Sequence, residues 1–464
     1  MRLTITVLLV KLLVKILRIF KSGGTSLPGK IAAKIYPNIL SVISSRIKTV
    51  FVTGTNGKTT TVRMITGILK AHDIKYITNK SGANLQSGIT TTLLNAMKLN
   101  GRFDEEYAVL EVDEAALKTI APLIKPDYVV VTNFFRDQLD RFGELYTLLS
   151  GVKEGLSSCP NTKLILNGDD SFCASIGKDL PNEAYYYGTR IAFGEYKEGS
   201  VSDGRFCIYC KVEYLYRHHT YGHLGDFYCP ECGFSRPYLL TALSETPVLT
   251  DKNTKILLSI GDPDNKENVQ TIEGTIPVPG QYNIYNAMAA ITLSKVFGFD
   301  PKKSVEALAG FEIGFGRMED IRIGNKTLRM VLVKNVVGFD QALELFISQN
   351  KPYPAAMIIN DLTADGRDIS WLWDVEFEKL GQVQEVVPAF FTSGLRGEDM
   401  TVRLKYAGLD MKKVRLIKDY NLLVDKGLAI TPENGYFYVF PSYTALLDFR
   451  KLLVRRYGIK KFWK

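Results

Sequence analysis

A run of β-forming residues, Ile47 to Val52, leads into Thr53-Gly54-Thr55-Asn56-Gly57-Lys58-Thr59-Thr60-Thr61, and a helix-forming segment, Val62 to Leu69, follows without a break. A strand, a glycine-rich turn closing on Gly-Lys-Thr and a helix, in that order, is the setting in which such a turn holds phosphate. Gly54 and Gly57 let the backbone curl so that successive N–H groups, those of Thr55 and Asn56 among them, converge on phosphate oxygens. The helix N-terminus adds its positive end. Lys58 reaches for the terminal phosphates, and a hydroxyl of Thr59 or Thr60 is placed for Mg2+. The bland alternative is an ordinary turn before a helix; a lysine and three threonines at the helix mouth weigh against it. The chain is expected to bind a nucleoside triphosphate.

The same context sets the fold class. Ala108–Val112, Tyr128–Thr132 and Leu164–Asn167 are nearly unbroken apolar runs, as strands buried on both faces read. Amphipathic stretches between them predict a parallel, doubly wound α/β sheet. At 464 residues the chain exceeds one ordinary core, and 46% hydrophobic against 23% charged residues exclude disorder. Residues 47–314 read as a central ATP-binding domain. Residues 315–464 read as a C-terminal α/β domain, with strands expected at Arg329–Val333, Ala356–Ile359, Val387–Phe391, Val414–Ile417 and Tyr436–Phe440.

Residues 1–46 form an N-terminal amphipathic segment: a helix over Thr4–Phe20, a glycine and proline break at Ser22–Gly29, and a short helix over Lys30–Tyr36. The first helix lacks a small-residue cleavage site, and its longest uncharged run is too short to cross a bilayer. Lys11, Lys15, Arg18 and Lys21 follow helical spacing and make a basic stripe among Leu, Val, Ile and Phe. Such a helix either lies in a membrane surface, cations at the headgroups, or docks on the protein's own body. The net charge of +9 suits a nucleotide, a phospholipid surface or a nucleic acid equally.

An aromatic, Cys and His-rich insertion at 202–237 interrupts the α/β pattern. Cys207-x-x-Cys210 and Cys229-x-x-Cys232 stand 18 residues apart, the spacing of a four-cysteine zinc ribbon. Four thiolates fill the tetrahedron of Zn2+ and leave no position for substrate, so the expected role is structural. His218, His219 and His223 lie between the pairs and are not needed as ligands. Lys211, Arg217 and several tyrosines raise a nucleic-acid reading, which is set aside because ribbons commonly staple insertions. Cys159 and Cys173 stand apart, so no disulfide framework is indicated, in keeping with a reducing, cytoplasmic setting.

Carboxylates follow the strand ends: Glu111-Val112-Asp113-Glu114, and Asp137-Gln138-Leu139-Asp140-Arg141 after Thr132-Asn133-Phe134-Phe135. In a doubly wound sheet these ends gather in the ligand crevice, where Glu111 is placed to hold Mg2+ with Thr59. Taken with Leu166-Asn167-Gly168-Asp169-Asp170 and Asn283-Ile284-Tyr285-Asn286-Ala287, these blocks resemble the ATP-dependent Mur ligases of peptidoglycan synthesis, over roughly Val50 to Arg317. Three departures narrow the resemblance. Only some 45 residues precede the phosphate loop, Gln138 stands where the family has histidine, and a zinc ribbon is inserted. The stretch Asp361 to Asp374 adds a likeness to the amidating branch of the family, which works with a GatD-like glutaminase as a heterodimer.

That resemblance implies a concrete chemistry. ATP phosphorylates the α-carboxylate of D-isoglutamate in the lipid II stem peptide, and ammonia from the glutaminase displaces phosphate to give D-isoglutamine. It assigns Lys58 and the Gly54–Thr60 backbone to the ATP phosphates, Thr59 and Glu111 to Mg2+, and Asn283 to the adenine side. Asp368, in Gly366-Arg367-Asp368, would complete the partner's catalytic triad by orienting its histidine. The place of action would be the inner face of the plasma membrane, with the N-terminal helix as a peripheral contact. Lys334-Asn335-Val336-Val337-Gly338 lacks a proline the family often carries there, and a looser turn is expected. The rival readings are a stand-alone Mur-type or folylpolyglutamate-type ligase that uses an amino acid, and a nucleotide-regulated zinc-ribbon protein that binds nucleic acid.

Overall fold

The computed structural model describes residues 2–19, 26–79, 82–136, 145–192, 203–250, 253–262, 264, 268–311 and 317–459. Two compact units result: one holds the described residues of Met1–Phe135 and Leu145–Glu312, the other those of Arg136–Glu144 and Ile313–Lys464.

In the first unit, strands β1 (Lys48–Thr53), β2 (Tyr76–Thr78), β3 (Tyr107–Glu111), β4 (Tyr128–Val131), β5 (Lys163–Asn167) and β6 (Ala184–Thr189) pair in the order β6-β5-β4-β1-β3-β2, all parallel. Every residue of β3 is buried, as a strand covered on both faces requires. The reversal of order at β1 opens a crevice at the carboxyl ends, and the phosphate loop lies there. The expected parallel core is therefore present. An antiparallel edge was not foreseen: β9 (Thr241–Leu243) continues the parallel run beside β6, and then β11 (Thr254–Ile260) turns antiparallel between β9, β10 (Val248–Leu249) and β12 (Gln270–Ile276). Within the insertion, β7 (Leu215–His219) and β8 (Gly225–Tyr228) form a two-stranded antiparallel hairpin.

Three helices precede β1: α1 (Arg2–Ile19), α2 (Leu27–Ile35) and α3 (Ile39–Ser44). The second starts earlier than the expected Lys30, because Pro28 sits in its first turn, where a missing N–H costs nothing. Val7 and Val10 of α1 join the core cluster that holds Ile89, Leu93 and Leu94. The basic stripe is not uniformly turned outward: Lys11 Nζ donates to the Asn95 carbonyl at 2.7 Å. The side chain of Arg18 and all of Lys21 lie outside the described residues, as do Asp137 to Arg141. Among the described residues no helix is long and apolar enough to cross a membrane.

The second unit is a six-stranded sheet in the order β13-β14-β18-β15-β16-β17, with β13 (Arg317–Ile323) antiparallel to β14 (Lys326–Val331) and the rest parallel. The others are β15 (Ala355–Ile358), β16 (Phe390–Ser393), β17 (Val414–Leu416) and β18 (Tyr436–Pro441). Expected strand Val387–Phe391 begins three residues late, since Pro388 brings no N–H to a ladder. The turn at Asn335 is not loose: its Oδ1 accepts the Gly338 N–H at 2.9 Å and caps the helix Val336–Gln349.

Candidate functional site

The loop between β1 and the helix Lys58–Ala71 is closed by its glycines. Gly54 (φ +117°) and Gly57 (φ +87°) adopt the left-handed region, and a Cβ on Gly57 would stand 2.1 Å from Asn286 Oδ1. Thr132, Asn133 and Phe135 grip the outside of this loop. Asn56 N–H donates to Asn133 Oδ1 at 2.9 Å, Thr132 Oγ1 donates to Asn56 O at 2.6 Å, and Phe135 N–H donates to Thr55 Oγ1 at 3.1 Å.

At the helix mouth a lysine and three acids meet. Lys58 Nζ lies 2.8 Å from Glu114 Oε2, with side-chain exposures of 9% and 2%. Burial works against the charge on Lys58, but Glu114, then Glu111 and Asp113, outweigh it and hold its pKa above the usual lysine value. Burial and the Glu114 charge push Asp113 upward. Thr59 Oγ1 donates to Glu111 Oε2 at 2.6 Å, so the two groups expected to share a metal already touch. Asn79 fixes the end of β3 by exchanging bonds of 2.8 Å with the Glu111 N–H and carbonyl. One cation among three carboxylates leaves excess negative charge, which a triphosphate tolerates only with a divalent cation present. The curled backbone, the hydroxyl and the carboxylate together fit a magnesium nucleotide. Glu114 was missed by sequence reasoning as Lys58's partner; its signal, a third acid three residues beyond Glu111, was read only as part of a strand-end cluster.

Thr60 is buried in the same first turn of the helix, and Thr61 Oγ1 lies 3.2 Å from Asn286 Oδ1. Asn283 is buried at the start of the helix Gln281–Val296; its Nδ2 donates to the Pro279 carbonyl at 2.7 Å, while Asn286 reaches the phosphate loop. Behind the loop, Asp169 and Asp170 are fully buried. Asp170 caps the helix Ser171–Asp179 and also accepts the Phe134 N–H at 2.7 Å, tying that helix to the segment that grips Thr55. Asp169 accepts Tyr285 Oη at 2.7 Å, Thr189 N–H at 2.8 Å and Arg236 Nη1 at 2.9 Å. Apart from the cap of Asp170, these roles carry no local sequence signal, because the partners Phe134, Thr189, Arg236 and Tyr285 come from four separate segments.

The insertion presses on this network. His223, wholly buried, stands 4.8 Å from the Phe135 ring and 5.3 Å from that of Phe172. Its Nε2 is 3.2 Å from Asp170 Oδ1, at an angle that makes no hydrogen bond. Thr220 Oγ1 meets Tyr285 Oη at 2.8 Å. At the insertion's other end, Cys207, Cys210, Cys229 and Cys232 bring their sulfurs within 4.8 Å of one another. Thiolates at about 2.3 Å from a tetrahedral ion stand about 3.8 Å apart, so the cluster has the right size for one metal. Burial pushes the Cys207 thiol up, but the N–H groups of Cys210 and Tyr209 outweigh it and bring it down to about 6.

In the second unit, Asp368 lies half-buried on the loop after β15, its Oδ1 accepting the Ser370 N–H at 2.8 Å. That bond, with the Ser370 hydroxyl, holds its carboxyl below the usual range. The loop is fastened at two points ahead of Asp368: Arg396 Nη2 pairs with Asp361 at 2.7 Å, and Asp365 accepts the Thr444 N–H at 2.8 Å. Trp373 (53% exposed) and Tyr406 (72%) form an edge-on pair beside it.

Residues 52–213 match the Mur ligase middle domain, and residues 332–446 match the MurT ligase C-terminal domain. A pseudomurein peptide ligase type C from Methanothermus fervidus superposes with a TM-score of 0.64 at 22% identity, over 89% of this chain and 79% of that one; this likeness concerns the fold. Fold and loop together define the class as a Mur-type ligase. Subunit MurT of the glutamine-hydrolyzing lipid II isoglutaminyl synthase from Streptococcus pneumoniae is 34% identical, with 94% of each chain covered. The Staphylococcus aureus subunit of that name is 31% identical, with 97% of each covered. The chain belongs to the MurT family of Mur ligases.

Proposed function

We propose that this chain is the ATP-dependent synthetase subunit of a lipid II isoglutaminyl synthase. The observation that carries the reading is the meeting of Lys58, Thr59 and Glu111 at the mouth of the phosphate loop, in a chain akin to MurT over nearly its full length. The α-carboxylate of D-isoglutamate attacks the γ-phosphorus, the bond to the bridging oxygen breaks, and ADP leaves with the electron pair. Ammonia then adds to the acyl carbon, loses a proton and expels phosphate, leaving the amide. Lys58 and the N–H groups of Gly54, Gly57 and Thr60 hold and neutralise the phosphates, which is most of what such a transfer asks of a protein. The N–H groups of Thr55 and Asn56, expected to join them, instead donate to the carbonyl and Oδ1 of Asn133, each at 2.9 Å, and shape the loop. Thr59 and Glu111 would hold Mg2+, which supplies further positive charge there. Asn283 belongs on the adenine side, at the start of the helix whose Asn286 touches the loop.

Cys207, Cys210, Cys229 and Cys232 would hold a structural Zn2+. A GatD-like glutaminase would meet the face around Asp368, Trp373 and Tyr406, where an ionised carboxylate on a fastened loop can orient a histidine across the interface. The domain limits follow as residues 1–46, 47–314 with the ribbon at 202–237, and 315–464. Because the substrate is lipid-linked, the reaction takes place at the cytoplasmic face of the membrane.

The test is reconstitution. With a GatD-type glutaminase, glutamine, ATP, Mg2+ and lipid II, the chain should form D-isoglutamine and ADP in equal amounts, and neither protein alone should do so from glutamine. ADP release that depends on an added amino acid and needs no glutaminase would favour the stand-alone ligase.

A further inference from the structure

Helix α1 is aliphatic on nearly every side, and the fold uses only one of them. Thr6, Val7 and Val10 are at most 1% exposed, packed into the first unit. On the opposite side Ile5, Leu8, Leu9, Leu12 and Ile16 remain between 37% and 55% exposed. At about 3.6 residues per turn these five fall on a single stripe. Lys15 is exposed along one border of it, and α2 adds Leu27 and Ile35, 49% and 45% exposed. An exposed aliphatic stripe of this kind marks a place that something covers.

Charge chooses the cover. Residues 1–46 contain eight lysines and arginines and no aspartate or glutamate, so this segment supplies +8 of the chain's net +9. A helix resting in a bilayer interface combines these two properties, aliphatic side chains among the acyl chains and cations against anionic headgroups. We infer that the stripe of Ile5, Leu8, Leu9, Leu12 and Ile16 is a membrane-docking surface whose occupant is an anionic bilayer. Lys15 borders the contact, and α2 carries two further exposed cations, Lys30 and Lys34. The helix rests on the surface and does not cross it. Because α1 is packed into the same unit as the phosphate loop, docking brings the catalytic unit to the layer that carries its substrate. That last purpose rests on the proposed function; the surface itself does not.

The experiment separates the two. The full chain is sedimented with vesicles of phosphatidylcholine containing about a third phosphatidylglycerol and no lipid II, then with purely neutral vesicles. Binding is expected to the anionic vesicles and to weaken with salt. Leu8→Glu with Leu12→Glu should reduce it by about a hundredfold or more, at an unchanged melting temperature. The same variant should amidate detergent-dispersed lipid II at the parent rate but vesicle-borne lipid II more slowly. Should the double variant unfold, Ile5→Gln with Ile16→Gln gives the milder form of the measurement. Vesicle binding equal in parent and variant, or absent in the parent, overturns the assignment. Loss of glutaminase binding with vesicle binding intact overturns it too, in favour of a protein cover. Anionic-vesicle binding by a chain that never amidates lipid II would keep the surface and remove the proposed function.

Discussion

Lys58 enters the phosphate loop already paired with Glu114, so each is the other's counterion until phosphate arrives. Lys58→Ala should therefore do two things. It should lower ATP turnover by about a thousandfold through the lost phosphate contact, and cost about 3 kcal/mol of stability by stranding a buried carboxylate. Lys58→Met with Glu114→Gln should recover the stability in a thermal melt and leave turnover as low as before; recovered turnover would remove Lys58 from the chemistry. A second residue sets a pH dependence. Burial leads, and with the Glu376 and Glu344 charges outweighs the Glu376 N–H and Lys379, pushing Asp340 up to about 7. Its folded pKa exceeds the ordinary carboxylate value, so its contribution is complete below about pH 4 and is lost as pH rises through about 7. Asp340→Asn, which keeps an acceptor for Glu376 N–H, should remove that loss, worth about 2 kcal/mol at pH 8 once partial exposure is allowed for. Melting temperatures at pH 5 and pH 8 decide it: an undiminished gap in the variant assigns the pH dependence to another group. The loop residues were legible in sequence because their requirements are local. Glu114 and Asp340 were not, because their roles appear only when a distant element supplies the neighbour.

At the level of elements, the parallel half of the first sheet could be read from near-continuous apolar runs, and its antiparallel edge could not. β9 and β10 are three and two residues long, too short for any period to show. The insertion was legible as a cysteine ribbon from spacing, yet nothing in that spacing told where its far end rests. The structure sets Tyr221 and His223 against Phe135, whose N–H meets Thr55, so the insertion buttresses the nucleotide loop from behind. Removal of the proposed zinc should therefore be felt at the nucleotide. Treating the chain with a strong chelator, or replacing the exposed Cys232 by serine, is expected to weaken ADP binding about tenfold, as a calorimetric titration would show, and to lower the melting temperature. His223→Ala should weaken ADP binding in the same direction with all four thiols present. Unaltered affinity in both would reduce the ribbon to a surface ornament.

Across the whole molecule, the proposed function divides its work between two units, phosphate chemistry in one and the aspartate loop in the other. Asp368→Asn should accordingly abolish glutamine hydrolysis by the reconstituted pair, while amidation supported by added ammonium salt continues near the parent rate. Persistence of both activities would return Asp368 to a plain turn residue. The membership of the chain was legible from ordered blocks of residues, whereas the division of α1 into a docked and an open side was not, since Leu, Ile and Val fall on both sides of it and the buried side also takes Thr6. The fastened loop that carries Asp368 has a consequence for assembly. Held through Asp361 by Arg396 and through Asp365 by Thr444, it has little freedom left to surrender when a second protein closes over it. Association should thus resemble the joining of two finished surfaces, fast and with a modest heat-capacity change, and the acid should stand at its post before the histidine arrives.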